Sequence, residues 1–445
     1  MAKIFPFRGV HYNEKIVGDL SKVVTQPYDQ IKDDLMEEYY SRSTFNITRI
    51  IKGRSEPDLD ENNVYTRAAD YLSEWMRDGV LVTDEKPALY VYYQEYQVDG
   101  ETRVRKGYIP LVELQEYGEG VQAHEKTLEA PKLDRFNLML TTESNTELIF
   151  MLYSEPERII SKVLDDAIAG RKPDIQAKDD FGCIHKVWAV TDYGTIKKVQ
   201  QRMEPLTLFI ADGHHRYETA VNYWKHLQKK GRKCPKGATE CYTNCMMTLV
   251  NVDEPGLTVL PTHRLVHGVE ENKIKNLVTE AMKYFNIEHF PLSQGDDNAM
   301  KQVLDAMKAR MKDEHLYCLY VRGDNELKLL SLKDESVMND LVKGVSDDWK
   351  KLDIAILHTI LLDKLLGIDA EKLAAKTNVD YMRSPYDTLK KIKDNPKYQC
   401  VFVVNPTGVE EVRKIARRNE TMPQKSTDFF PKLISGLVLN KMRIE

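Results

Sequence analysis

The chain has 445 residues, which at roughly 150 residues per domain predicts two or three domains with ample length for a buried core. Hydrophobic residues make up 42% and charged residues 30%, with 22 Gly and 18 Pro, so a fibrous, low-complexity or staple-dependent chain is excluded. With 64 Lys plus Arg against 69 Asp plus Glu the formal charge is −5, so no global basic field draws in nucleic acid or an anionic membrane, and any anion must be held by a local cluster.

The N-terminal MAKIFPFRGVHYNEK has its apolar stretch broken by Pro6 and Arg8 before a signal-peptide core can form. No run approaches the roughly 18 apolar residues of a spanning helix. Six cysteines, Cys183, Cys234, Cys241, Cys245, Cys318 and Cys400, are too sparse for a disulfide framework and point to a reducing compartment, so the expected location is cytoplasmic. KVVTQPYDQI predicts a short strand stopped at Pro27, with Tyr28 and Asp29 just beyond it. Ala68, Ala69, Tyr71, Leu72 and Trp75 recur at helical spacing between Val64 and Arg77, and a β-hairpin turns at Asp99-Gly100. The HEKT stretch reads as a long polar loop, followed by a helix and a strand from Ile149 to Tyr153. HKVWAVTD is another strand. PLTLFIADGHHRYETAVNYWKHL gives an apolar strand, a glycine turn and a helix with Tyr217, Ala220, Val221 and Trp224 on one face. After Pro261 come two charged helices, a strand pair at HLYCLYV and KLLSL, the helix LDIAILHTILLDKLLG, the strand CVFVV and a capping box at Thr407 and Glu410. No internal repeat is present.

The common nucleotide and hydrolase signatures are missing, which disfavours the standard kinase, dehydrogenase and esterase folds. Cys234, Cys241 and Cys245 with His226 have no standard zinc spacing and read as scattered small hydrophobes. ADGHHRYETA is the strongest signal, because an apolar strand delivers Asp212, Gly213, His214, His215 and Arg216 to a helix N-terminus. That end carries unpaired N–H groups and the positive dipole, while Gly213 admits a ligand, Arg216 can grip phosphate and the histidines can transfer protons. The competing reading makes Asp212 a plain N-cap and Arg216 a solvated side chain. His124, Glu125, Lys126 and Thr127, with Lys132, Asp134 and Arg135, form a second constellation, which pattern alone leaves closer to a solvated, salt-bridged segment. A third, MPQKSTDFFPKLISGL, sets Lys425, Ser426, Thr427 and Lys432 among aromatics and prolines, as ligand donors or as a tail packing its Phe pair.

Taken together, FPFRG, KVVTQPYDQI, Phe45-Asn46, HEKT with KLDR, ADGHHRYETA, PTHR, NPT and MPQKSTDFFPKLISGL resemble, in order and over nearly the whole chain, a large bacterial and archaeal family catalogued as a domain of unknown function. The DGHHR turn is also similar to the phosphate-binding turn of the ParB/sulfiredoxin superfamily, which includes free-serine kinases. The resemblance implies a mixed α/β (α+β) fold: a ParB/sulfiredoxin-like catalytic domain over 1–265 with an inserted HEKT-bearing segment, and a C-terminal α/β domain over 266–445 whose tail returns to the site. It implies that Gly213, His214, His215 and Arg216 hold the phosphate and that Asp212 binds Mg²⁺ or the serine hydroxyl. Glu125 and Asp29 are the candidate general bases, and His124, Lys126, Thr127, Arg135, Lys425, Ser426, Thr427 and Lys432 the further phosphate ligands. The expected activity is Mg²⁺-dependent phosphorylation of free L-serine to O-phosphoserine, with pyrophosphate or a nucleotide (ATP or ADP) as donor. The alternatives are a ParB-like nucleotide-binding regulatory module that contacts nucleic acid or protein, although net acidity argues against direct DNA contact, and a non-catalytic metabolite sensor.

Overall fold

Asn63 opens α1 (Val64–Arg77): its side chain accepts the Tyr65 and Thr66 N–H groups, and the Thr66 hydroxyl accepts the Asn63 N–H, closing a reciprocal cap. Ala68, Leu72 and Trp75 bury one stripe of it. The hairpin follows as β1 (Leu89–Val98) and β2 (Glu101–Ile109), registered from Tyr90 opposite Ile109 to Val98 opposite Glu101. Then come α2 (Glu129–Thr142), β3 (Ile149–Tyr153), α3 (Ile159–Ile168), β4 (Ile175–Lys178), β5 (Ile184–Val190), α4 (Tyr193–Met203), β6 (Leu208–Asp212), α5 (His214–Lys229) and β7 (Asn244–Asn251). The computed structural model describes every residue except 1, 55, 57, 58, 60, 99, 119, 123–128, 376 and 419. Contacts divide the chain into two compact units, Met1–Leu257 with Pro431–Glu445, and Thr258–Phe430, in a mixed α+β class.

In the first unit the strands run in the order β4-β5-β1-β2-β7-β3-β6, with β7 parallel to β3 and the parallel strand Val121–Gln122 beyond β6. One face carries Val91, Tyr108, Met151, Ile210 and Met247 against Leu164 of α3, Val199 of α4 and Tyr217 and Ala220 of α5, which is the main apolar core. Alternation along the same strands puts Gln94, Arg105, His185 and Thr248 on the other face, and all four are buried. Arg105 donates to the Gln94 side-chain oxygen at 2.9 Å and to the Pro431 carbonyl at 2.5 Å, and Gln94 donates to the Lys432 carbonyl at 2.9 Å. These bonds fix the backbone that carries the Lys432 side chain.

The second unit contains β8 (Thr258–Leu260), β9 (His263–His267), α6 (Glu271–Ala281), β10 (Phe285–Pro291), α7 (Asp296–Arg310), β11 (Leu316–Val321), β12 (Glu326–Leu332), β13 (Val379–Met382), α8 (Pro385–Asp394), β14 (Tyr398–Val404), α9 (Val409–Arg417) and β15 (Asp428–Phe430). Its antiparallel sheet has the order β10-β12-β11-β14-β9-β13, and β8 pairs with β15. Val303 and Met307 of α7 and Leu389 and Ile392 of α8 pack on Leu316, Cys318, Leu329 and Val401. Among the described residues no helix is long and apolar enough to cross a membrane.

Several expectations are corrected here. Val23 to Gln26 is not a strand: a 3₁₀ turn over Leu20–Lys22 precedes it, and its pairing is the single bridge of Thr25 to Ser435, since Pro27 has no N–H with which to continue a ladder. The helix α2 begins at Glu129, so Lys132, Asp134 and Arg135 are helical rather than part of a loop, with Arg135 and Leu138 sharing its buried side at a spacing of three. The capping box at Thr407 and Glu410 does not form, because the Thr407 hydroxyl donates to the Ser426 carbonyl and it is Glu411 that accepts the Gly408 N–H at 2.6 Å. Cys234 and Cys241, read as unpaired, form a disulfide, whereas Cys245 is free and buried, which removes the thiol pair a zinc site would need.

Candidate functional site

The turn after β6 begins with a register shift between Ile210 and Asp212. Gly213 follows at φ 97°, where a Cβ would lie 3.1 Å from Arg216 Nε, so both backbone conformation and space require glycine. The first ladder bond of α5 runs from the Tyr217 N–H to the Gly213 carbonyl at 2.9 Å, which turns the preceding amides out of the helix end, where the dipole is positive. His214 is buried and His215 half-buried in the first turn. Arg216 folds back beneath the glycine, 9% exposed. It donates to the Leu148 carbonyl and, at 2.8 Å, to Asp212 Oδ2, while Lys432 Nζ lies 3.4 Å from Asp212 Oδ1. Burial opposes the Arg216 charge most strongly, but Asp212, then Glu147 and Asp29, outweigh it and raise its pKa.

A second arginine completes the site. Arg135 donates to Glu147 at 3.0 Å, to Asp134 at 2.7 Å and to the Ile51 carbonyl at 2.7 Å, and its guanidinium stands 4.0 Å over the Tyr28 ring. The other Glu147 oxygen accepts the Tyr28 N–H at 3.0 Å. Burial, then the Glu147 charge, pushes the Tyr28 hydroxyl up to about 12 against the pull of Arg135 and Arg216. A small cavity of about 30 Å³ is bordered by Arg135, Glu147 and Arg216. The site is therefore a strip of alternating charge in which two buried guanidinium groups stay ionised because carboxylates face them.

Of the residues singled out in the sequence, Asp29, Arg135, Asp212, Gly213, His214, His215, Arg216 and Lys432 all belong to the first unit. Asp29 is exposed, and among the described residues it forms no ion pair or hydrogen bond, although its charge acts on Arg216. His124, Glu125, Lys126 and Thr127 lie outside the described residues. Lys425, Ser426 and Thr427 belong to the second unit, where Lys425 has φ 58°, its carbonyl accepts from Arg264 at 2.9 Å, and the Ser426 hydroxyl donates to the Pro423 carbonyl at 2.5 Å. Sequence reading missed Glu147, whose only signal is a carboxylate two residues before a fully buried strand, and Arg105, which looks like any charged position of an alternating hairpin.

The residues do not fit a Mg²⁺ centre at Asp212. Each of its oxygens faces a cation, Arg216 on one side and Lys432 on the other, so the group is salt-bridged rather than open to a metal. The one group of described residues with ligand atoms within 4.8 Å of one another is Asp179, Cys183 and His185. It is closed by its own bonds: Asp179 accepts the Phe181 and Cys183 N–H groups, and His185 meets Tyr92 at 2.7 Å and Asp179 at 3.2 Å.

The chain belongs to the family described as "Protein of unknown function (DUF1015)", which matches residues 4–355. No curated protein matches it. Among solved structures it is similar to a conserved hypothetical protein from Pyrococcus furiosus (14% identity, 72% of this chain and 93% of that one, TM-score 0.32). A free serine kinase in complex with AMP matches at 12% identity over 73% of this chain and 97% of that one, TM-score 0.32. SbnI with a C-terminal truncation from Staphylococcus aureus matches at 13% identity over 75% and 85%, TM-score 0.34.

Proposed function

We propose that this member of the family is a phosphotransferase that moves a phosphoryl group from pyrophosphate or a nucleotide onto the hydroxyl of free L-serine. The observation that carries this reading is a buried, ionised Arg216 beneath a left-handed glycine at a helix N-terminus, flanked by Asp212 and Lys432. Phosphoryl transfer needs chiefly positioning and charge neutralisation, and the turn supplies both. The amides of Gly213 to His215 orient the phosphate, and Arg216 and Arg135, each held by a carboxylate, supply guanidinium donors that an anion can compete for. Lys432, held by the Arg105 and Gln94 clasp, adds a cation at the rim. The serine oxygen attacks phosphorus, the bridging P–O bond breaks, and orthophosphate or the shortened nucleotide leaves. The serine proton passes to Asp29, an exposed carboxylate that forms no ion pair or hydrogen bond among the described residues. No step is assigned to Mg²⁺.

The test is product analysis by mass spectrometry with free L-serine and pyrophosphate, ATP or ADP in separate reactions, each with and without Mg²⁺. Serine-dependent O-phosphoserine is expected with at least one donor. Its absence with all of them overturns the reading and favours the nucleotide-gated module or the sensor.

A further inference from the structure

The small cavity beside the turn has an unusual wall. It runs between α2, α5 and β3, and its polar lining includes Arg135, Asn145, Glu147, Arg216 and Thr219 beside Ser144 and Thr146. Its volume, about 30 Å³, is at least twice the roughly 10–15 Å³ that one water needs. Asn145 is 3% exposed. Its Oδ1 accepts the Met246 N–H at 3.2 Å and the Asn440 Nδ2 at 2.9 Å, which fixes the amide the right way round, because a backbone N–H can only donate. Asn145 lines the cavity, and its Nδ2 donor is left buried without a hydrogen-bond partner among the described residues. Buried donors are seldom left unmet, and one on a lining shared with two guanidinium groups, each also held by a carboxylate, suits an acceptor oxygen that can compete for those groups.

We infer that this cavity is a second oxyanion subsite, which takes the phosphoryl group that is not transferred, so that the donor is a compact diphosphate. The inference rests on the phosphotransferase reading for the role of the neighbouring turn, but binding tests it without any turnover. Arg216 belongs to both places: its backbone lies in the first turn of α5 and its side chain lines the cavity, as does Thr219 one turn on. One phosphoryl at the helix end and a second in the cavity would share that guanidinium.

The experiment is calorimetric titration of the full chain with pyrophosphate and, separately, with orthophosphate, without serine. Pyrophosphate is expected to bind at least tenfold more tightly than orthophosphate. Asn145→Asp keeps the oxygen that Met246 and Asn440 need and replaces the donor by a negative oxygen, so the pyrophosphate advantage should disappear while orthophosphate still binds. Met139→Phe narrows the cavity from a half-buried position without removing a polar group. It should cut the advantage at least threefold and keeps the test open if Asn145→Asp fails to fold. Equal affinities for the two anions in the wild type, no binding of either, or an advantage that survives in the folded variants would overturn the subsite. Loss of the advantage in a protein that makes no phosphoserine would leave the subsite standing and remove only the kinase reading.

Discussion

Arg135 and Arg216 in the first unit and Arg264 in the second are all buried guanidinium groups, but their surroundings are opposite in kind. The first pair faces Glu147, Asp134 and Asp212, and despite burial both are raised above the ordinary arginine pKa. Arg264, 0% exposed, donates to the Thr262 and Lys425 carbonyls and stands 5.6 Å from the Tyr381 ring; burial pushes it down to about 10. Main-chain carbonyls hold a cation in place without offering a partner that a ligand could displace. Carboxylates keep a cation charged and, where a cavity lies alongside, let an incoming anion compete for it. The same side chain is thus a structural strut in one unit and the floor of a site in the other.

The largest effect should separate the two. Arg216→Met removes the guanidinium that Asp212 holds at 2.8 Å and is expected to cost about 3–5 kcal/mol in denaturant unfolding, as breaking a buried ion pair does, and to abolish turnover. Arg264→Met orphans two carbonyls but no charge, and should cost about 1–3 kcal/mol. Equal losses would erase the distinction. Gly213→Ala, which places a methyl against the Arg216 guanidinium and strains a left-handed residue by about 1–2 kcal/mol, should cut turnover by about 100-fold with a fall in melting temperature of only a few degrees. Next is Lys432→Met: a rim cation whose loss should lower turnover about tenfold and leave thermal stability close to wild type.

The effect that is smallest at neutral pH is a pH dependence in the second unit. Burial, then Arg264, pushes His263 down to about 3 from an ordinary value of 6.5. The unfolded chain therefore takes up a proton that the folded one refuses, so stability is full above pH 6.5 and falls as pH drops from 6.5 towards 3. His263→Gln, whose amide oxygen can still accept the Val404 N–H, should flatten that slope in melting curves, and an unchanged slope would show that other groups govern it.

Much of this was legible in the sequence because local patterns coincided with tertiary demands. The periodicity of Val64 to Arg77, the two strands of the expected hairpin, paired up to Val98 and Glu101, and the strand Ile149 to Tyr153 match the observed elements, since each buries the face its pattern marks. The Asp212 to Arg216 turn was visible because strand, glycine and helix start are contiguous. What remained hidden depends on pairing across the chain. Glu147 matters through Arg135 and Tyr28, and Asn145 through Met246 and Asn440, 295 residues away in the last case. The local pattern at Arg216 suits a side chain reaching out to a ligand, and its bond to the Leu148 carbonyl shows that it points inward. The strand expected before Pro27 failed because β-branched residues favour extended backbone without supplying a partner strand.

The most direct test of the central claim is phosphorus NMR of the wild-type chain and of Gly213→Ala, each with pyrophosphate and free L-serine. The account predicts a phosphomonoester signal that grows with wild type, requires serine and is nearly lost in the variant. A signal of equal rate in both proteins would show that the chemistry does not depend on the Asp212 to Arg216 turn.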